Sequence, residues 1–409
     1  MKKHYIVVVA ALSLFHSISA QEISAVQLKN HITFLSSDKL NGRETGSSDE
    51  LTAANYIRDY FIKYKIAPKG KSNSYYFPYT FNKPKNPHDT IGSEPVSAID
   101  VVGYLDNGAE YTVVIGAHFD HLGVGNNPSS LEANPAGKIF HGADDNASGT
   151  AGVLELARYY SENKRKEKFN FLFICFSGEE HGLFGSKKYC DNPTIDLTKV
   201  NYMINMDMIG RLNDSTKKLM IYGVGTAPDW YSLLDKTPSD FNIKKDSAGV
   251  GPSDQTSFYL KDIPVLHFFT GQHSDYHKPS DEVEKINFPG EIKVLDYIIK
   301  IEEETEKLPK LQFLKTRNPE PGSHKYKVTL GVMPDYTFDG KGMRIDGVTD
   351  GKPASKAGIL KGDIVIKLGE SSVGSTMEYM KALSNFKSGD TTEIVILRNA
   401  EEIKLKVTF

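Results

Sequence analysis

The sequence of 409 residues contains only two cysteines, Cys175 and Cys190, which are too few for a disulfide framework. Either a single bridge between them or two free thiols fits this count. The formal net charge of −3 leaves no excess of basic residues, so nucleic acid is not an expected partner. Beyond the N-terminus, no apolar run approaches the roughly eighteen residues of a transmembrane helix, so no membrane span is expected.

The first twenty residues have a composition of their own. Two lysines precede an apolar run from about Ile6 to Phe15, and small residues follow as far as Ala20. This arrangement is typical of a secretory signal, and the run is too short for a membrane span. The sequence therefore predicts a signal peptide over residues 1–20 and an exported protein, either periplasmic or secreted.

Apolar runs alternate with helical patterns between residues 95 and 308, after a stretch up to about Pro95 that we predict to be rich in loops. Buried strands are predicted at Glu110–Asp120, Phe169–Glu180, Val200–Gly210 and Ile263–Gly271. Helices are predicted near Ser47–Tyr64, Ala147–Glu162, Pro228–Asp235 and Glu291–Lys307. This alternation predicts an α/β fold, with a mainly parallel mixed sheet covered by helices on both faces.

The composition changes after Leu308. Residues 309–324 contain prolines and little periodicity, and we predict that they form a linker. Residues 325–409 contain short strand patterns, glycines and one or two helical patterns. The expected organisation is therefore a main domain over 21–308, a linker, and a small β-rich domain over 325–409.

Polar residues follow each predicted strand of the main domain. They are His118, Asp120 and His121 after the first strand, Glu179 and Glu180 after the second, Asp207 after the third, and His277 and Asp281 after the fourth. The segment "HGADDNASGT", with Asp144 and Asp145, lies between the first two strands. An aspartate pair also suits a helix N-terminus, and a glutamate pair suits a solvated surface. Because ligands bind beyond the carboxyl ends of strands in an open α/β sheet, five clusters at one edge favour a metal site.

The residue types indicate which metal would bind. Imidazole and carboxylate ligands without thiolate suit zinc, with cobalt or manganese as lesser candidates. Three carboxylates and two imidazoles exceed what one tetrahedral zinc that keeps a water can use. They fit two ions about 3.5–4 Å apart that share a carboxylate. The spacing of His118 and Asp120 is typical of a carboxylate that orients a ligating ring.

These ordered motifs resemble the M28 family of zinc metallopeptidases, which includes the bacterial leucine aminopeptidases, over roughly Val26 to Leu308. The resemblance implies a zinc exopeptidase fold and two Zn²⁺ per chain. One ion would be held by His118 and Asp207, the other by Glu180 and His277, and Asp145 would bridge them. The resemblance also implies a cis peptide bond between Asp145 and Asn146.

The same resemblance assigns further roles. Glu179 would be the general base, and Tyr276 would donate a hydrogen bond to the oxyanion, unless it only packs beside His277. Asp281 is expected to orient the His277 ring. The other histidines near the motifs are expected to be structural or to lie behind the ligands, and they are His121, His141 and His181. Many family members have a histidine where this chain has Gln255, which leaves the shape of the substrate pocket open.

The C-terminal residues resemble a PDZ domain in the circularly permuted order found in bacterial proteases. The segments that carry this resemblance are Lys327–Tyr336, Met343–Val373 and Thr392–Phe409. The resemblance implies that an extended peptide adds to a sheet edge and that its terminal carboxylate binds on a loop of backbone amides. The loop residues would be Thr329, Leu330, Gly331 and Val332. A module that only packs on the peptidase is the alternative.

The sequence as a whole predicts an exported, dinuclear zinc exopeptidase that acts on peptide substrates and is an aminopeptidase. A free α-amine suits the carboxylates of the site, whereas a substrate carboxylate would need a cation, and the motifs offer only Arg211 and Lys278. Arg211 is expected to pair with a surface acid instead. The alternatives are a glutaminyl cyclase with a single zinc and a non-catalytic peptide-binding protein on a peptidase scaffold.

Overall fold

The computed structural model describes residues 22–83, 94–127, 129–316, 328–335, 338, 340–348 and 351–409. The predicted signal peptide, residues 1–20, lies outside the described residues, as does the stretch 317–327. Within the described part, buried apolar side chains form a core on each side of a large sheet and a separate core after residue 328. No described helix is long and apolar enough to cross a bilayer.

The large sheet contains nine strands in the described residues. They are β1 (Ala67–Pro68), β2 (Tyr76–Lys83), β3 (Glu94–Leu105), β4 (Tyr111–His118), β5 (Phe169–Phe176), β6 (Val200–Met206), β7 (Lys218–Tyr222), β8 (Asn242–Lys245) and β9 (Val265–Phe269). Their order is β1-β3-β5-β4-β6-β9-β7-β8, and β2 pairs with β3. The central strands β5, β4, β6 and β9 are parallel to one another, and the other pairings are antiparallel except that of β7 with β8. The sheet is therefore mixed, as predicted.

The central strands are apolar on both faces, and the two faces enter different cores. On β4, Val113 and Ile115 are buried in one core, whereas Val114 between them is buried in the other. Burial of such a side chain contributes about 1.5–3 kcal/mol, which explains why these short runs form strands. Because the four strands are parallel, their carboxyl ends lie at one edge of the sheet, where the predicted site residues begin.

Seven α-helices flank this sheet in the part of the first domain that the structure describes. They are α1 (Ala25–Leu35), α2 (Ser48–Lys63), α3 (Gly149–Glu162), α4 (Phe184–Asp191), α5 (Asp229–Lys236), α6 (Gln255–Tyr259) and α7 (Phe288–Thr305). Side chains of α1, α2, α3, α5 and α7 are buried in one core. Side chains of α4 and α6 are buried in the core on the other face of the sheet. Side-chain caps fix three of the N-termini, where Ser24 accepts from the amide of Gln27, Ser47 from that of Glu50 and Asn287 from that of Gly290. The prediction of helices on both faces is confirmed.

The C-terminal residues form an antiparallel sheet with two helices. The elements are β10 (Val332–Pro334), β11 (Met343–Val348), α8 (Pro353–Lys356), β12 (Ile364–Leu368), β13 (Ser371–Ser372), α9 (Thr376–Leu383), β14 (Thr391–Arg398) and β15 (Glu401–Thr408). The strand order is β10-β11-β12-β14-β15, and β13 pairs with β12. Strand β10 therefore lies at the end of the described strand order.

The structure corrects several sequence predictions. The stretch before Pro95, predicted to be rich in loops, contains β2 and the first residue of β3. The predicted linker begins too early, because Leu311 is 4% exposed in the first core and Thr316 donates its backbone amide to the Tyr259 hydroxyl. Both cysteines are buried and free, so the single-bridge alternative is wrong.

Candidate active site

The parallel strands bring the predicted site residues together at one edge. His118 is the last residue of β4, and Asp207 directly follows β6. Glu179 and Glu180 follow β5 after a turn at Gly178, where φ is +69°. His277 lies in the loop after β9, also with a positive φ of 53°. The four strands end two to four residues earlier than the apolar runs predict, so every one of these site residues except His118 lies in a loop that follows its strand.

The Asp145 carboxylate lies between two imidazole rings. Its Oδ1 is 3.4 Å from Nε2 of His118, and its Oδ2 is 3.2 Å from Nε2 of His277. On the first side, Nε2 of His118 is also 3.5 Å from Oδ1 of Asp207. On the second side, Nε2 of His277 is also 3.2 Å from Oε2 of Glu180. Asp145 thus offers one oxygen to each of two groups of potential ligands.

These separations fit metal coordination. Two atoms bound tetrahedrally at about 2.1 Å to one zinc are about 3.4 Å apart. Lone pairs of a neutral imidazole nitrogen and a carboxylate oxygen would repel at this distance unless a cation or a proton lay between them. Ligand atoms of His118, Asp145 and Asp207 all lie within 4.8 Å of one another, and so do those of His121, Asp145 and Glu180. The residues present therefore fit two metal ions that share Asp145.

His121 lies behind Glu180. Its Nδ1 is 2.8 Å from Oε1 of Glu180 and 4.0 Å from Oδ2 of Asp145. Since Oε2 of Glu180 faces His277, the two oxygens of Glu180 also face different imidazoles. His121 is fully buried and holds the carboxylate in this orientation. Its position agrees with the expectation that it stands behind a ligand.

Each candidate imidazole ligand is oriented by a partner of its other nitrogen. Nδ1 of His118 is 3.3 Å from the carbonyl oxygen of Asp120 and 3.5 Å from Oδ1 of the same residue, whose Oδ2 accepts from the Thr45 hydroxyl at 2.7 Å. Nδ1 of His277 is instead 2.8 Å from the carbonyl oxygen of Ser129. The prediction that Asp281 orients the His277 ring is therefore wrong.

Asp281 supports the Asp145 loop. Its Oδ2 accepts from the backbone amides of Asp144 and Asp145, each at 3.0 Å. These amides precede helix α3 and would otherwise have no partner in the turn, so a buried carboxylate satisfies them. Asp144 itself faces away from the ligand groups, since its Oδ1 accepts from the amide of Gly210 at 2.7 Å.

Small residues after Asp145 allow a close approach to strand β6. The peptide bond between Asp145 and Asn146 is cis, as the resemblance implied. Oδ1 of Asn146 accepts from the amides of Gly149 and Met208, at 2.9 and 3.1 Å. A Cβ at Gly149 would collide with the carbonyl oxygen of Met206. The "DNASG" sequence is therefore required to bring the loop against the end of β6.

A buried arginine that the sequence analysis missed ties the ligand loops together. The Arg43 guanidinium is fully buried and donates to the carbonyl oxygens of Phe119 at 2.6 Å, His141 at 2.5 Å and Gly142 at 2.7 Å. It also donates to the carbonyl oxygen of Leu35 at 2.9 Å. Burial lowers the pKa of Arg43 to about 10. The only sequence signal was an arginine between glycines in "NGRETG", which alone does not identify its partners.

The adjacent glutamates occupy different electrostatic environments. Burial raises the pKa of Glu179 well above its usual value, and the charges of Asp207 and Glu180 add to this effect. Burial also acts against ionisation of Glu180, yet His277 and other partners hold its pKa at about 2. Two neighbouring carboxyls with separated pKa values suit an acid–base group beside an ionised ligand.

A cavity of about 90 Å³ lies over these groups. The carboxylates Asp145, Glu179, Glu180 and Asp207 line one side of it. Its lining also includes Met208, Tyr222, Phe269 and Tyr276, which pack together. The Tyr276 ring stacks on that of His277, with centroids 3.8 Å apart.

Other predicted residues lie away from this cavity. Gln255 is fully buried and contacts Asn205, so it does not line the cavity wall. His141 contacts Pro279 and Asp38. Arg211 pairs with Asp275 at 3.3 Å, as expected, although that acid is 14% exposed in its side chain and so is not a surface group. The ring of His181 lies beside Phe81.

Residues 100–301 match the sequence profile of peptidase family M28, and residues 314–409 match that of the PDZ domain. Leucine aminopeptidase 2 of Arthroderma otae is 27% identical over 238 residues, which cover 50% of this chain and 46% of that protein. Aminopeptidase YwaD of Bacillus subtilis is 29% identical over 158 residues, which cover 36% and 34%. The chain thus spans less than half the length of these relatives.

Solved structures share the fold of the first domain. BSAP, a zinc aminopeptidase from Bacillus subtilis, superimposes with a TM-score of 0.53 at 16% identity over 72% of this chain and 99% of that one. A glutaminyl cyclase from Porphyromonas gingivalis gives a TM-score of 0.55 at 17% identity over 69% and 99%. At these identities the similarity shows the fold, which an aminopeptidase and a cyclase have in common.

Proposed function

Because this chain carries a peptidase family M28 domain followed by a PDZ domain, we propose that it is a dinuclear zinc aminopeptidase. It would remove residues one at a time from the N-terminus of peptides. The observation that carries the proposal is the position of Asp145, whose two oxygens face His118 and His277 at 3.4 and 3.2 Å. A bridging carboxylate between two sets of ligands is what a two-metal hydrolase needs.

We assign the ligands from these contacts. His118 and Asp207 would hold one zinc with Oδ1 of Asp145, and Glu180 and His277 would hold the other with Oδ2. When bound, the ions would lower the pKa of a water and polarise the scissile carbonyl. His121 and Asp120 keep the ligands in place through the contacts described above.

Glu179 is proposed as the general base. It lines the cavity beside the ligands, and its Oε2 is 3.9 Å from Nε2 of His118. Its backbone amide donates to Oδ1 of Asp120 at 3.3 Å, which fixes the turn that carries it. From this position Glu179 would take a proton from the attacking water and pass it to the leaving amine. Tyr276, which also lines the cavity and stacks on His277, would donate a hydrogen bond to the oxyanion.

The charge of the cavity supports action at the N-terminus of a peptide. Four carboxylates line it, and within the described residues no lysine or arginine does. A substrate α-ammonium would be attracted by this charge, whereas a terminal carboxylate would be repelled. Arg211, one of the two cations that the motifs offer for binding a carboxylate, already pairs with Asp275.

A glutaminyl cyclase would share the fold but needs one zinc. One of the two groups of potential ligands, at His118 or at His277, would then have no role. A non-catalytic scaffold would be expected to lack some of the proposed ligand residues, and the sequence contains all five of them. Both alternatives therefore account for less of the site than the hydrolase does.

We also propose that the protein is exported, on the basis of residues 1–20. The apolar run after two lysines and the small residues before Gln21 support a cleaved signal. An exported enzyme would act on extracytoplasmic peptides.

A peptide digest tests the proposed activity. A peptide with a free N-terminus and its N-acetylated counterpart would be incubated with the enzyme, and the products would be followed by mass spectrometry. Stepwise loss of N-terminal residues from the free peptide, with little or no cleavage of the acetylated one, is the expected result. Shortening of the acetylated peptide from its C-terminus would instead identify a carboxypeptidase.

A further inference from the structure

A second cavity lies between the peptidase and PDZ domains. It has a volume of about 450 Å³ and is lined by residues of both domains, among them Val250 of the first and Phe338 and Met380 of the second. Tyr222 and Pro252 line this cavity and also the catalytic cavity. The two cavities are therefore neighbours that share part of a wall.

The second cavity lies at one end of the predicted peptide groove of the PDZ domain. Its PDZ lining includes Asp335, which directly follows β10, and Thr376, which begins α9. The loop residues 329–332, at the other end of β10, do not line it. A peptide whose carboxylate binds on that loop and whose chain follows β10 would leave the groove at Asp335 and enter this cavity.

The direction of such a peptide matches the proposed reaction. With its C-terminus at residues 329–332, its chain runs antiparallel to β10, so its N-terminal part lies beyond Pro334. That is the end at which the catalytic cavity lies, and an aminopeptidase requires the substrate N-terminus there. The opposite polarity would present a C-terminus to the metal ligands.

We propose that one peptide substrate occupies both sites at once. Its C-terminal carboxylate would bind on residues 329–332, its middle would cross the interdomain cavity, and its N-terminus would lie in the catalytic cavity. The enzyme would then favour peptides with a free C-terminus that are long enough to span both sites. This inference rests on the proposed aminopeptidase function and adds a criterion of substrate length.

The lining of the interdomain cavity indicates what the middle of the peptide is like. Val250, Phe338 and Met380 provide apolar surface, and Asp246 and Asp335 provide carboxylates. Asp335 already accepts from Nε of Arg344 at 2.8 Å. The cavity therefore suits an extended segment with apolar side chains and disfavours acidic ones.

A length series of peptides tests the proposal with the full chain. Peptides of about 3 to about 12 residues, which span roughly 10–40 Å when extended, would be made with a free C-terminal acid and with an amide. Because binding at a second site raises the local concentration of the N-terminus, kcat/KM should favour the acid by about 10-fold above a threshold length. Below that length, kcat/KM for the acid divided by kcat/KM for the amide (the acid-to-amide ratio) should be close to one.

Matched variants test the path of the peptide. Met380→Arg places a charge in the cavity wall and should bring the ratio for long peptides close to one. Leu360→Arg makes the same kind of change at a PDZ residue that is 54% exposed and outside the cavity, and should keep the ratio. Circular dichroism would show whether each variant is folded. If a variant is not folded, the dependence of the acid-to-amide ratio on peptide length in the wild type still tests the proposal.

The outcomes separate this inference from the function on which it rests. Cleavage of short peptides with an acid-to-amide ratio near one at every length would overturn the two-site proposal and leave the aminopeptidase intact. No N-terminal cleavage of any peptide by the metal-loaded enzyme would overturn both. A ratio that rises with length in the wild type and in Leu360→Arg, but not in Met380→Arg, would support it.

Discussion

Oε2 of Glu179 lies 3.9 Å from Nε2 of His118, so the proposed base is adjacent to a proposed ligand without being in hydrogen-bonding contact with it. Glu179→Gln should therefore keep the bound zinc and lower kcat by at least roughly 10²–10⁴-fold, because an amide cannot accept the proton. Zinc content and kcat would be measured on the same sample. Glu110→Gln, at a side chain that is 65% exposed, is the control. Near-normal turnover in Glu179→Gln would remove this residue from the base role.

The ligand assignment predicts the metal content. The purified protein should bind about two zinc ions per chain and lose activity with a chelator. His277→Ala removes a nitrogen that lies 3.2 Å from both Asp145 and Glu180, so its zinc content should fall to about one. Metal analysis after dialysis measures both values. A fully active wild-type enzyme with a single zinc would contradict the dinuclear proposal.

Removal of the PDZ domain should spare short substrates. Each residue that lines the catalytic cavity precedes Thr316, which is bound to Tyr259 of the first domain. A chain that ends after Thr316 should therefore hydrolyse a small chromogenic aminoacyl substrate at a rate close to that of the full chain. A chain that ends at Pro309 should be less stable than the chain that ends at Thr316, because it lacks the buried Leu311. Loss of activity in a folded chain ending at Thr316 would show that the PDZ domain helps to build the catalytic site.

Glu302 on α7 should make stability depend on pH. Glu302 is 1% exposed, no described residue donates a hydrogen bond to either of its carboxyl oxygens, and burial raises its pKa to about 9. The folded protein then keeps a proton that the unfolded chain loses above its usual pKa of 4.5, so this residue lowers stability as pH rises from 4.5 towards 9.

Glu302→Gln should remove this effect. The variant should gain little at pH 5 and roughly 1–3 kcal/mol at pH 8 relative to the wild type, measured by urea unfolding at both values. Glu303→Gln, at a side chain that is 41% exposed on the same helix, is the matched control. Its change in unfolding free energy should be the same at pH 5 and at pH 8. An equal gain at both pH values for Glu302→Gln would mean that the carboxyl is not held protonated.

The central strands could be predicted because each is a short run of apolar residues buried on both faces. The order of polar residues after these runs was enough to place His118, Glu180 and Asp207 at one edge. Strand β2 was missed although its buried and exposed residues alternate within "YFPYTFNK", because the proline and the asparagine in this segment suggest loops. Its stability depends on pairing with β3, which local sequence does not show.

In the candidate site, the contacts that the sequence failed to predict are mainly those between a side chain and a backbone group. Asp281 was expected to orient a histidine but binds two amides, and Ser129 orients that histidine through its carbonyl group. Arg43 likewise contacts only carbonyl oxygens. Any residue type can supply a backbone partner, so the sequence carries no sign of which one is used.

The position of Arg43 has a consequence for where the catalytic unit begins. The family match starts at residue 100, yet the guanidinium that fixes the loops of His118 and Asp145 comes from residue 43, and Thr45 beside it holds Asp120. A fragment cut at the ends of the match would keep every proposed ligand and lose the groups that hold their loops. The smallest autonomous enzyme therefore has to include the segment before β1, even though none of that segment takes part in the chemistry.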